Sequence, residues 1–357
     1  MKLLTHILLR PLSFVYGIVI TLRNILYDAG VFRSYSFSLP VICVGNLTVG
    51  GTGKTPHVIF LAELLSGYMP VAVLSRGYLR RTRGFRIVSN ADSVSDAGDE
   101  PLLIAGTLPH VRVIVDRDRV HGIKELQKIF PETGVVILDD GYQHRAVNAG
   151  MNILLTDYNR LMTRDYLMPS GRLRESVRGM KRADIIIVTK VPSEVSPEIF
   201  NQIRNELKPR SWQELYFTTL TYGKLEPVFG GSKEKEITVN TGVVLVTGIA
   251  DPEPLRKYIS TIASSVTHLS FEDHHTFNRK DTDSIMALLD GLSEPDKLVI
   301  TTEKDCVRLK EFTIIADHLK EVLYYLPVKV IFSDKEEKFT KRVIEYAGKD
   351  NRDSNLS

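Results

Sequence analysis

Val44-Gly45-Asn46-Leu47-Thr48-Val49-Gly50-Gly51-Thr52-Gly53-Lys54-Thr55-Pro56 joins an apolar run at 39–44 to an amphipathic run at 55–65. The first reads as a strand and the second as a helix, so the glycines fall in a strand-to-helix turn. Such a turn aims backbone N–H groups and the positive end of the helix dipole at one spot, which is how proteins hold polyphosphates. Thr48, Val49, Gly50, Gly51, Thr52, Gly53, Lys54 and Thr55 then form the cradle. Lys54 reaches the β/γ-phosphates and the Thr55 hydroxyl ligates Mg²⁺. The phosphate-loop pattern asks for glycine where Thr48 stands, and Gly50, Gly51 and Gly53 supply the backbone freedom instead. The alternative is a glycine-rich turn with an incidental lysine.

Outward from this turn, short β-branched runs at 71–74, 111–115, 135–138, 153–156 and 185–188 read as further strands. Helical patterns at 55–65 and 119–129, or loops, separate most of them. Near-continuous apolar strands alternating with helices predict a mostly parallel sheet covered on both faces, an α/β fold of the P-loop NTPase kind. Its ligand lies beyond the carboxyl ends of the strands. A second set begins near Ser211, with strands at 215–221, 243–246, 298–300 and 328–332 and helices at 252–263 and 282–289. The expected division is an N-terminal helix in residues 1–35, a phosphate-loop domain in 36–212, a smaller C-terminal α/β domain in 213–348 closing over the cleft, and a polar, disordered tail in 349–357.

The composition, 43% hydrophobic and 25% charged over 357 residues, is that of a globular protein of about two domains. A net charge of +3 gives no general attraction for nucleic acid, which is not expected as a partner. The basic residues are clustered all the same: Arg76, Arg80, Arg81, Arg83 and Arg86, then the stretch from Arg160 to Arg182. They suit phosphate or anionic headgroups, or else form a solvated basic surface. Cys43 and Cys306 have no metal or framework spacing, and Cys43 reads as a buried thiol in a reducing compartment. The twelve uncharged residues between Arg10 and Arg23 fall short of the ~20 a bilayer span needs. Read as a helix bent at Pro11, the N-terminus gathers Phe14, Val15, Ile18, Leu22, Ile25 and Leu26 on one side, with Leu4, Ile7 and Leu8 before them. Such a helix lies in the membrane interface, with Tyr16 and Tyr27 at headgroup level, or packs on the protein's own core.

Val135-Val136-Ile137-Leu138-Asp139-Asp140-Gly141-Tyr142-Gln143-His144 places acids at a strand's carboxyl end, where phosphate-loop NTPases set an acid against Mg²⁺. Adjacent acids on a strand point to opposite faces, so Asp139 and Asp140 take different roles unless the strand has ended. A solvated Asp-Asp-Gly turn is the other reading. Gly98-Asp99-Glu100-Pro101 precedes a helical pattern and suits a helix cap or a catalytic acid. In Phe271-Glu272-Asp273-His274-His275-Thr276-Phe277 the spacing favours acid–base work over zinc. Thr301-Thr302-Glu303-Lys304-Asp305 and Val188-Thr189-Lys190 follow strands, and contact a nucleotide base or ribose or are charged loops.

These segments, with Ser75-Arg76-Gly77-Tyr78 and Pro169-Ser170-Gly171-Arg172-Leu173-Arg174-Glu175, occur in one order that closely resembles the tetraacyldisaccharide 4'-kinase (lipid A 4'-kinase) family. The likeness runs from the N-terminal helix to about residue 310, and it covers Thr48, since that family's loop also lacks the first glycine. It implies phosphorylation, by ATP with Mg²⁺, of the 4'-hydroxyl of an acylated glucosamine disaccharide 1-phosphate at the cytoplasmic face of the bacterial inner membrane, with anionic lipid as a surface partner. Carried over by motif, Lys54 holds the β/γ-phosphates, and Asp139 and Asp140 act near metal and nucleophile. Asp99 is the base with His274 its partner. Thr55, Asp139 and Glu100 are metal candidates, and Arg76, Gln143, Arg174 and Glu175 substrate candidates. Ser176 stands where proline is expected, and Tyr142 where phenylalanine is more usual. A phosphate-loop NTPase switch or metallochaperone without a lipid acceptor is the competing class. The N-terminal helix speaks against it.

Overall fold

The computed structural model describes residues 2–89, 91–230, 234–312 and 315–348, so the tail expected at 349–357 lies outside the described residues. Helix α1 (Lys2–Asp28) runs through Pro11, and the side chains of Leu4, Ile7 and Leu8 lie outside those described. The chain then alternates: β1 (Val41–Asn46), α2 (Lys54–Ser66), β2 (Val71–Ser75), β3 (Arg86–Ile87), α3 (Val94–Ala97), α4 (Asp99–Thr107), β4 (Arg112–Val115), α5 (Arg119–Ile129), β5 (Val135–Asp139), β6 (Met151–Asp157), β7 (Ile185–Thr189), α6 (Pro197–Leu207) and β8 (Glu214–Tyr222). There follow β9 (Glu226–Pro227), β10 (Thr241–Thr247), α7 (Glu253–Ser260), β11 (Ser265–Ser270), α8 (Arg279–Asp290), β12 (Asp296–Thr302), α9 (Glu303–Glu311), α10 (Asp317–Val322), β13 (Leu323–Leu326), β14 (Val328–Phe332) and α11 (Glu336–Ala347).

The strands form two sheets, in the orders β14-β8-β7-β6-β1-β5-β2-β4-β3 and β11-β10-β12-β13-β9. In the larger sheet β1 lies between β5 and β6 and is parallel to both. Alternate residues explain the layering. Ile42 and Val44 of β1 pack with α2 and α4 on one face, while Val41 and Cys43 pack with α5 on the other. Each such side chain contributes about 1.5–3 kcal/mol when fully buried. The smaller sheet repeats the device, with Val244 and Val246 on one face and Val243 and Leu245 on the other.

Sheet pairing corrects one expectation. The sequence groups the strands at 215–221 and 328–332 with the second set, yet β8 joins β7 and β14 pairs antiparallel with β8, both in the larger sheet. The small half is thus an insertion at 223–327, and Gly223 N donating to Pro327 O at 2.8 Å ties its two connections together. Sequence patterns mark strands without marking which sheet they join. Helix α9 of the insertion packs on α3 and α4 of the large half. Cys43 and Cys306 are free and buried, and burial pushes both thiols up to about 12.

Candidate active site

At the end of β1, the Asn46 amide donates to Thr52 Oγ1 at 2.7 Å, closing the glycine-rich turn on itself. A second segment braces it, with Val49 N donating to Arg172 O at 2.8 Å and Arg174 N to Leu47 O at 2.7 Å. Gly50 (φ 107°) and Gly53 (φ 79°) occupy the left-handed region that glycine tolerates. Gly53 caps α2 without a side-chain hydrogen bond, so the first N–H groups of the helix stay open for an anion. His57 holds the turn from beneath. Its Nδ1 lies 2.7 Å from Gly53 O and its Nε2 3.0 Å from Thr218 Oγ1. A carbonyl only accepts, so Nδ1 carries the proton and Nε2 accepts from threonine. Thr189 Oγ1, one of the residues read as a nucleotide contact, donates to Thr52 O at 2.9 Å, and Lys190 pairs with Asp157 at 2.8 Å.

The strand ends at Asp139 and Asp140 turns to φ 50°, so strand alternation does not relate the two acids, which instead meet different partners. Asp140 receives both ends of the Arg174 guanidinium, at 3.0 and 2.8 Å, and lies 3.9 Å from Lys54 Nζ. Burial opposes its ionisation, but Lys54 and Arg174 outweigh that and hold its carboxyl below the ordinary value. Asp139 is buried at the carboxyl end of β5, an inner strand, where Ser75 Oγ donates to its Oδ2 at 3.1 Å. Its Oδ1 is buried without a partner. Burial, with the charges of Glu100 and Asp140, pushes the Asp139 carboxyl up to about 7 against the pull of Lys54.

Asp99 and Glu100 begin α4, and Glu100 N donates to Asp99 Oδ1 at 2.9 Å. From the insertion, His274 (φ 65°) brings Nδ1 to 3.0 Å from Asp99 Oδ2. The Arg308 guanidinium also donates to Asp99 Oδ2. Lys304 stands 3.7 Å from Asp99, 3.8 Å from Glu100 and 3.2 Å from Asp273. Burial alone would raise the Asp99 carboxyl; His274, Lys304 and Arg308 instead hold it far below the carboxylate range. Glu100 stands between the clusters, paired with Lys304 and felt by Asp139. The adjacent His275 pairs with Asp281 at 2.9 Å and stacks on Phe271, so the two histidines part ways.

The remaining candidates divide. Glu175 is buried and receives Arg182 at 2.6 Å, Gln143 at 3.1 Å and Asn24 of α1 at 3.0 Å. Gln143 also donates to Asn46 O at 2.8 Å. Together with Arg174 they splice the phosphate turn to α1, whose Tyr16 hydroxyl donates to Arg174 O at 2.7 Å. Tyr16 therefore faces protein, not headgroups. Arg76 is exposed beyond β2, whereas Arg80 is buried and donates to Val115 O and Gly84 O, a brace rather than a free basic surface. Arg308, Asn46, Ser75 and His57 were not singled out in the sequence. A helix over 303–311 would have exposed Arg308, since it places Lys304 and Arg308 one turn apart on the same side.

The family model described as tetraacyldisaccharide-1-P 4'-kinase matches residues 5–347. The chain belongs to that family. A tetraacyldisaccharide 4'-kinase of Bacteroides thetaiotaomicron is 43% identical over 99% of this chain and 96% of its own length. One of Parabacteroides distasonis is 45% identical over 95% and 94%. Among solved structures, LpxK from Aquifex aeolicus in complex with ATP has a TM-score of 0.75 at 31% identity, covering 96% of this chain and 99% of the other.

Proposed function

We propose that the protein is a kinase that transfers the γ-phosphoryl group of ATP to the 4'-hydroxyl of an acylated glucosamine disaccharide 1-phosphate, a lipid A precursor. The observation that carries this reading is the contiguity of two acid clusters, with the phosphate turn, Lys54 and Asp139 on one side, Asp99 and His274 on the other, and Glu100 between them. The open start of α2 and Lys54 bind the polyphosphate. Asp99 orients the attacking hydroxyl and takes its proton, held in place by His274. A loose phosphoryl-transfer transition state asks for little deprotonation beforehand, so a carboxylate of low basicity suffices.

The residues present fit Mg²⁺. Asp139 keeps a buried oxygen unpartnered, and no set of three His, Cys, Asp or Glu side chains among the described residues is placed to hold a metal alone. That suits an ion shared with phosphate oxygens, which keeps few protein ligands. Thr55 and Asp139 would hold it, with Glu100 nearby. When bound it neutralises charge developing on the transferred group.

The acceptor is a glycolipid, and α1 is the element that meets its membrane. By length and composition Leu9–Asp28 is apolar enough to cross a bilayer. One side of α1 is instead bonded to the body through Ser13, Tyr16, Arg23 and Asn24. Leu12, Phe14, Val15, Ile18, Val19, Leu22 and Ile25 on its other side are more than half exposed. A helix seated this way lies in the interface of the inner membrane's cytoplasmic leaflet, with Lys181, 3.7 Å from Asp28 of α1, beside it. The test is an incubation with γ-labelled ATP, Mg²⁺ and the disaccharide 1-phosphate in detergent. Label appears in the lipid and depends on acceptor; hydrolysis of ATP at the same rate without acceptor, and no labelled lipid, would sink the reading.

A further inference from the structure

Asp99 belongs to the large half of the molecule, yet most of what holds it comes from the insertion. Of the cations around it, Lys304 is partly exposed and shared among Asp99, Glu100 and Asp273 at 3.2–3.8 Å. Arg308 is different. It is buried, and both ends of its planar guanidinium are fixed. Nη1 donates to Asp305 Oδ1 at 3.1 Å and to Gly248 O at 3.3 Å. Nη2 donates to Asp99 Oδ2 and lies 3.0 Å from His274 Nδ1. Asp305 is anchored in turn, its Oδ2 accepting from Gly248 N at 2.8 Å and Thr302 Oγ1 at 2.7 Å. The ends of β10 and β12 thus brace Asp305, Asp305 braces Arg308, and Arg308 reaches across to Asp99. In a rigid fork the direction of one end sets the other, which a single ammonium does not reproduce.

We propose that Arg308 is a positioning residue for phosphoryl transfer: braced by Asp305, it fixes the Asp99 carboxylate from the insertion, so that the base is aimed only when the two halves are seated together. This rests on the kinase reading above. Arg308 and His274 occupy Asp99 Oδ2, while Oδ1 accepts from Glu100 N at 2.9 Å and keeps a lone pair for the acceptor hydroxyl.

The experiment measures kcat and KM, for MgATP and for the lipid, in Arg308→Lys, Arg308→Met, Asp99→Asn and the Asp99→Asn/Arg308→Met pair. Each single change at Arg308 lowers kcat roughly ten- to hundredfold, with both KM values moving less than about twofold. In the Asp99→Asn background, adding Arg308→Met changes kcat by less than about twofold, because groups acting as a unit are not additive. Losses that simply multiply, or wild-type kcat in Arg308→Lys, would overturn the proposal. If Arg308→Met does not fold, Arg308→Lys keeps the buried cation and takes its place in the pair. Full activity in Asp99→Asn overturns the assignment of the base itself, a separate failure.

Discussion

The two acid clusters of the cleft are built in opposite electrostatic senses. Asp139 is buried among like charges, keeps one oxygen unpartnered, and has its carboxyl pushed up to about 7 by burial and by Glu100 and Asp140. Asp99 is as deeply buried, but burial is outweighed there by His274, Lys304 and Arg308, which hold it ionised. Opposite and like charges shift a carboxyl in opposite directions, and the two acids differ in which kind dominates around them. In the function proposed above, Asp139 faces the cation that arrives with a nucleotide. Asp99, held ionised by its partners, is the group proposed to orient the acceptor hydroxyl.

The comparison breaks first at Lys54. Lys54→Ala removes the ammonium that stands 3.9 Å from Asp140 beside the phosphate turn, and lowers transfer by about 10²–10³-fold. A loss below about tenfold would mean that the β5 end does not handle the phosphates. Asp139→Asn sharpens the contrast, since it raises the Mg²⁺ concentration needed for half-maximal activity by about 10–100-fold. An unchanged Mg²⁺ titration would remove Asp139 from the metal. On α1, changing Phe14 and Ile18 to serine weakens flotation with anionic vesicles by about tenfold, and flotation at wild-type levels would leave that exposed stripe unexplained.

A separate effect, on stability rather than activity, concerns Glu303, beside Lys304. Burial pushes its carboxyl up to about 7 from an ordinary 4.5, partly offset by the hydrogen bond from Val328 N at 2.9 Å. The folded chain then binds this proton more tightly than the unfolded chain. The resulting stabilisation is fully present below the unfolded value and is lost as pH rises through about 7. Wild type therefore loses at most roughly 3 kcal/mol across that window relative to Glu303→Gln. Denaturant melts of both proteins near the two ends of the window check it, and a constant difference between them would contradict it.

The phosphate turn was legible because its chemistry is local: glycines, Lys54 and Thr55 follow one strand and open one helix. The end of β5 was legible for the same reason, but the different surroundings of Asp139 and Asp140 were not, because the strand stops between them and alternation no longer applies. The pairing of Asp99 with His274 came from the family resemblance, because no spacing links residues so far apart in the chain. What stayed hidden was carried by tertiary contact. The bonds by which Glu175 and Gln143, substrate candidates by resemblance, join Arg182 and α1 have no signal in the sequence. Arg80 looked like a surface charge but is buried against backbone carbonyls. The return of β14 to the large sheet depends on a pairing partner that an apolar run does not name.

The most direct measurement compares Asp99→Asn with wild type for label transfer to the lipid and, on the same samples, for nucleotide affinity. The expected result is transfer reduced by about 10²-fold or more, with nucleotide binding within about twofold of wild type. Transfer at the wild-type rate, or a loss explained wholly by weakened nucleotide binding, would contradict the division of labour between the two acids.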